Sequence, residues 1–191
     1  MSIEDLTRVD WFGWWTWALL ALVVVGLYLR SLAGRLDRLH LRWDAARDAL
    51  DAQLVRRAAA AAELGASTLI DPASALLLAE AAHDAREAGV AGDRERGAAE
   101  SDLSSALRLV FDDPDNAEEI RELGGDHILD DLATGCQRVV YALRFYNDAV
   151  DATQAMRRKA LVRWFRLAGY TPWPEHFAMD DTPPAALAQR P

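Results

Sequence analysis

From Trp11 to Leu29 the chain reads WFGWWTWALLALVVVGLYL, about 19 residues without a charge. An α-helix rising 1.5 Å per residue needs roughly that number to cross the hydrocarbon core of a bilayer. The run predicts a transmembrane helix over 11–29, preceded by a short segment, 1–10, outside the membrane. Beyond it the pattern becomes periodic. Leu32, Leu36, Leu39, Trp43, Ala46, Leu50, Leu54 and Ala61 recur near a three-and-four spacing, so the helix is predicted to run on to about Leu64 with one apolar stripe. Gly65, Ala66, Ser67 and Thr68 then stop it. Asp71-Pro72, an N-cap followed by proline at the first helical position, opens a second helix ending near Gly89 or Gly92. A third is predicted from about Asp93 to the Asp112-Asp113-Pro114 break, and a short acidic one over Asp115–Leu123 before Gly124-Gly125. The strongest periodicity follows: Leu132, Cys136, Val139, Leu143, Tyr146, Val150 and Thr153 mark a long last helix from Asp126.

These lengths predict an all-α fold in which a single N-terminal transmembrane helix continues into an antiparallel four-helix bundle with long first and last helices, over 30–157. Stretches of 30–64 and 126–160 would each reach about 50 Å as helix, against roughly 25–30 Å for the middle pair. The last helix should therefore bring Arg157, Arg158, Lys159, Arg163 and Arg166 back to the membrane end, beside anionic headgroups. Residues 158–169, where Leu161, Trp164 and Phe165 interleave with these cations, are predicted to form a basic amphipathic helix that lies at the membrane interface, caps the bundle end or binds a partner. The tail 170–191 reads as largely irregular, and Asp180 to Pro191, rich in proline, as disordered.

Charge orients the anchor. Trp11, Trp14, Trp15 and Trp17 cluster at one end of the span and Tyr28 at the other, where amphipathic rings favour the headgroup level. Arg30, Arg35, Arg38 and Arg42 follow the span, whereas Glu4, Asp5 and Asp10 precede it. By the positive-inside rule this predicts a single-pass inner-membrane protein with its N-terminus outside and its C-terminal domain in the cytoplasm. A signal peptide would carry a basic start and a shorter apolar core.

The whole chain of 191 residues has 21 Lys and Arg against 30 Asp and Glu, a net charge of -9, which argues against a nucleic-acid partner. Its single cysteine, Cys136, excludes an internal disulfide framework and any zinc site built on two cysteines of one chain. Glu80-Ala81-Ala82-His83 has the E-x-x-H spacing of di-iron bundles, but the second pair, Asp37 and His40, belongs beside the membrane. The acidic run from Asp112 to Glu122 is interrupted by Pro114 and lacks the glycine of a calcium loop. No nucleophile frame and no glycine-rich phosphate loop is readable. The expectation is a non-enzyme without cofactor, metal or small-molecule substrate.

Two segments resemble a known family. Arg144-Phe145-Tyr146-Asn147-Asp148-Ala149-Val150 is similar to the R-x-YN-x-x-V pattern of the LemA proteins, and Trp43 followed by Asp51-Ala52-Gln53-Leu54-Val55-Arg56-Arg57 is similar to their W…D-x-Q-L-x-R-R segment. The likeness covers most of residues 10–157, as in a divergent member. Ala58 to Ala62 stands where the family has a proline-asparagine step. The resemblance implies an antiparallel helical bundle on a membrane anchor with no established enzymatic activity. It singles out Gln53, Arg56, Arg57, Arg144, Tyr146 and Asn147, among which Tyr146, Asn147 and Gln53 are expected to find partners across helices and fix register. The combined expectation is a membrane-anchored scaffold or interaction protein, with the lipid bilayer and a second copy or another protein as partners. A ligand- or metal-binding bundle and a membrane-remodelling protein are the alternatives.

Overall fold

The periodicities above become helices in a computed structural model, which describes residues 4–90, 92–165, 169 and 171–188, with side chains from Trp14 to Leu187. The chain is all-helical, with no strand among the described residues. In order, α1 is Glu4–Ala66, α2 Pro72–Glu87, α3 Asp93–Val110, α4 Pro114–Glu122, α5 Asp126–Arg157, α6 Ala160–Trp164 and α7 Ala185–Ala188, with a 3-10 turn at Ala88–Val90. Boundaries follow local chemistry. Asp71 caps α2, its carboxylate accepting from the Ala73 and Ser74 amides at 2.9 and 3.1 Å, with Pro72 in the first turn. Asp113 caps α4 in the same way. Gly124, at φ 85°, takes the left-handed conformation that ends α4, and the Gly125 amide closes the turn onto the Ile120 carbonyl at 2.8 Å.

The contacts divide the chain into two units. The first comprises Met1–Leu41 and Ala152–Trp173. In it α1 is long and apolar enough to cross a membrane, and only 6 % of its most apolar 18-residue window is buried. Trp14, Trp15, Trp17 and Tyr28 are exposed, as are Arg30 and Arg35; the side chain of Trp11 lies outside the described residues. Farther along, Leu32 and Leu36 pack against Met156 and Val162.

This unit differs from the sequence reading in the extent of its basic helix. The basic segment expected over 158–169 is helical only over Ala160–Trp164, with Lys159 extended before it (φ -62°, ψ 133°); residues 166–168 lie outside the described set. The break lets the chain turn so that Val162 reaches Leu32 and Leu36. Arg157 donates to the carbonyls of Pro172 and Thr171 at 2.6 and 2.8 Å and stacks over Trp173 at 5.0 Å. Arg158, Lys159, Trp164 and Phe165 are exposed.

The second unit comprises Arg42–Asp151 and Pro174–Pro191. One buried cluster draws Ala58, Ala61 and Leu64 from α1, Leu78, Ala82 and Ala85 from α2, Leu103, Ala106 and Leu107 from α3, Ile120 from α4, and Leu129, Leu132 and Cys136 from α5. A second joins Leu50 and Leu54 to Val139, Leu143, Tyr146 and Val150. Every position of the α5 stripe predicted from spacing, Leu132 through Thr153, is buried.

Candidate functional site

The polar chemistry of the second unit collects on α3, where it faces α1 on one side and the C-terminal tail on the other. Toward α1 the charges alternate. Arg47 meets Asp93 at 2.7 Å, Asp51 meets Arg96 at 2.8 Å, and Arg57 meets Glu100 at 2.6 Å. Residue numbers rise together along this seam, so α1 and α3 run parallel. The last pair is buried, with side chains 3 % and 2 % exposed. Arg57 also donates to the Ser104 hydroxyl at 2.9 Å and to the Glu100 carbonyl at 3.0 Å, so one guanidinium satisfies a carboxylate, a hydroxyl and a backbone oxygen. Burial pushes the Cys136 thiol up from its ordinary value, opposed by the nearby charge of Arg57; a thiol so held is a poor nucleophile.

On the other side of α3 lies the tail. Asn147 clamps Phe177 with both ends of its amide: its Oδ1 accepts from the Phe177 amide at 3.1 Å and its Nδ2 donates to the Phe177 carbonyl at 3.4 Å. The Tyr146 hydroxyl donates to the Glu175 carbonyl at 2.9 Å. Across the groove, the Asp180 amide donates to the Ser101 hydroxyl at 2.9 Å, and Arg108 reaches the Asp180 carboxylate at 2.7 Å and the Thr182 carbonyl at 3.1 Å. Hydrogen bonds from Thr182, backbone first, and then Arg108 hold the Asp180 carboxyl below the usual carboxylate range. Gly97 makes the seat: a β-carbon there would collide with the Ala178 carbonyl oxygen. Phe177 is buried with Leu50, Leu54 and Val139, and Leu187 in the cluster with Leu129.

The disorder expected from Asp180 onward is therefore not what the described residues show. From Glu175 to Thr182 the tail lies between α3 and α5, running parallel to α3 and antiparallel to α5, and its end, α7, packs against α4 with Leu187 buried. Pro174, Pro183 and Pro184 lie in the tail; their fixed φ lowers the entropy lost on docking. Phe177 and Leu187 were the readable signals.

The residues singled out by the family resemblance separate. Arg57 is in the buried pair, while Tyr146 and Asn147 bond the tail backbone instead of another helix. Gln53 and Arg56 line a cleft with Glu63, Asp131 and Arg138. The Gln53 Oε1 is buried without a hydrogen-bond partner among the described residues. Arg144 is exposed. Glu80 and His83 are exposed on α2, and no group of three or more His, Cys, Asp or Glu is arranged to hold a metal ion among the described residues. Sequence reading missed Glu100, Ser104, Gly97, Ser101 and Arg108, all on α3. Comparison of the chain with family models, curated proteins and solved structures gave no match.

Proposed function

We propose that this protein is a LemA-type, single-pass membrane protein whose antiparallel four-helix bundle serves as a non-enzymatic scaffold or interaction module, with its N-terminus outside and its body in the cytoplasm. The observation that carries the reading is the outward-facing apolar run of α1. Trp14, Trp15 and Trp17 are 81 %, 67 % and 72 % exposed. At about 200 Å² per ring these three alone present roughly 400 Å², before Leu19 to Tyr28 are added. A soluble monomer rarely leaves so large an apolar patch uncovered, whereas a bilayer covers it. Support for the bundle comes from the shared burial of α1, α2, α3 and α5, and for a binding role from Tyr146 and Asn147, whose polar atoms grip a backbone and face no reacting group.

Alkaline extraction of membranes and a C-terminal reporter test the reading. The full chain should stay with the membrane and the reporter should be cytoplasmic. Leu20→Arg with Val24→Arg, each costing about 2.5–3.5 kcal/mol at a span centre, should release it. Wild-type protein that leaves the membrane on alkaline extraction, or an external reporter, overturns it.

A further inference from the structure

We propose that α6, with the end of α5, forms a second membrane contact that selects anionic phospholipid headgroups. The inference deepens the reading of α1 as a span, and rests on it for a bilayer edge near Leu29. Packing ties α6 to that edge. Val162, 1 % exposed, is buried with Leu32, Leu36 and Met156. Leu32 and Leu36 stand three and seven residues beyond Leu29, hence about 4.5 and 10.5 Å farther along the helix. The headgroup layer is about 5–7 Å deep on each side of the hydrocarbon core, so α6 is held at its height.

The side chains presented there match that layer. Trp164 is 82 % and Phe165 47 % exposed, with their rings 5.7 Å apart. A lid on the bundle would bury this pair; here Val162 makes the packing and the rings face out. An indole with apolar surface to cover and an N–H to keep wet is best placed at a bilayer interface. The cations are uncommitted as well. Arg30, Arg35, Arg38, Arg158, Lys159 and Arg163 are exposed, and none is in an ion pair among the described residues. Arg158 bonds only a neutral side chain, that of Gln154, at 3.0 Å. Asp37 is the sole acid within 30–41 and 152–173, although the whole chain has a net charge of -9. Charge complementarity therefore assigns an anionic surface to this patch, and its height assigns that surface to the bilayer the chain already spans. Each cation near such a surface strengthens binding by about fivefold.

The test compares full-length chain in nanodiscs of phosphatidylglycerol and of phosphatidylcholine, read by hydrogen exchange and by the lipids retained in native mass spectrometry. The Arg163 and Phe165 amides, which bond the carbonyls of Lys159 and Leu161, should exchange at least tenfold more slowly in phosphatidylglycerol, and the chain should retain that lipid over phosphatidylcholine. The triple variant Arg158→Gln, Lys159→Gln, Arg163→Gln should lose about 100-fold of the preference. A control triple, Arg86→Gln, Arg94→Gln, Arg144→Gln, removes equal charge from exposed positions elsewhere and should keep it. All six substitutions are at exposed side chains, and far-UV ellipticity checks folding. Equal exchange and equal retention in the two lipids overturn the proposal, as does a control that loses as much as the test variant. Amides that slow in native membranes but in neither disc would show a protein covering the patch, and the lipid assignment would be wrong. Chain that does not enter a disc overturns the span itself, whereas inserted chain without lipid preference overturns this inference alone.

Discussion

Arg57→Met isolates what the buried pair contributes. The substitution keeps a long unbranched side chain but leaves the Glu100 carboxylate, 2 % exposed, without its cation. Breaking a buried pair by removing one partner costs about 3–5 kcal/mol. The hydrogen bonds give the same range: one charge-assisted bond at roughly 1.5–3 kcal/mol and two ordinary ones at about 1 kcal/mol each. Solvent does not screen the loss, since both side chains are enclosed. With a urea dependence of about 2 kcal/mol per molar, the unfolding midpoint of the detergent-solubilised chain, followed by far-UV ellipticity, should fall by roughly 1.5–2.5 M. The double variant, Arg57→Met with Glu100→Leu, replaces both charges by apolar groups. The Ser104 hydroxyl still donates to the backbone carbonyl at position 100, at 3.0 Å, so no hydroxyl is orphaned. Most of the loss should return, to within about 1 kcal/mol of wild type, because exchanging a buried pair for packed apolar side chains is often neutral or better. A single-variant loss below about 1 kcal/mol, or a double variant as unstable as the sum of its singles, would refute the reasoning.

Other perturbations probe the tail and the thiol. Gly97→Ala should lift the tail off α3 at an overpacking cost of about 1–3 kcal/mol, seen as roughly 5- to 150-fold faster hydrogen exchange at the Phe177 and Asp180 amides; unchanged exchange there sinks the seat assigned to Gly97. The Asp180 carboxyl is held below its ordinary 3.8, so its contribution is present above that pH and lost as pH falls through the folded value. Tail amides should accordingly lose protection in acid before α3 and α5 do, and equal protection at about pH 3 and pH 6 contradicts this. The Cys136 thiol is raised above its ordinary 9.0, so stability declines as pH climbs from that value toward the folded one. At neutral pH a thiol reagent should label Cys136 only through opening of the core, and Arg57→Met should speed labelling by about two orders of magnitude or more; fast labelling of wild type would show the thiol to be accessible.

What could be read from the sequence was what a helix projects by its period. The stripe from Leu132 to Thr153 and the row Leu32, Leu36, Leu50, Leu54, Ala61 are buried as their spacing demands, because each residue's direction is set by its position along one helix. The Arg57–Glu100 pair is different in kind. Its partners stand 43 residues apart, and periodicity does not tell which of 30 acids will enter the core. The tail escaped for a related reason. A proline-rich segment with few apolar residues has the composition of a disordered one, and its docking bonds run from Asn147, Tyr146 and Arg108 to backbone atoms, which leave no pattern in the sequence. The basic segment after α5 failed at its length: alternation of cations and apolar residues suggested a helix over 158–169, yet Arg157 bonds the carbonyls at 171 and 172 and the chain turns at Lys159.

The alternating seam between α1 and α3 explains why a core so rich in alanine has a defined register. Ala58, Ala61, Ala82, Ala85 and Ala106 present faces of nearly equal size, and sliding one such helix by a turn loses little packing. Charges do not tolerate that slip. On α1 the order is Arg47, Asp51, Arg57, and on α3 it is Asp93, Arg96, Glu100. Moving α3 by about one turn would set Arg47 against Arg96 and Asp51 against Glu100, turning attraction into repulsion and stranding Arg57 in the core. Apolar periodicity thus decides which faces meet, while the paired charges decide at what height they stop. The same helix presents Gly97, Ser101 and Arg108 to Ala178, Asp180 and Thr182, so the height at which the charges hold α3 is also the height at which it meets the tail.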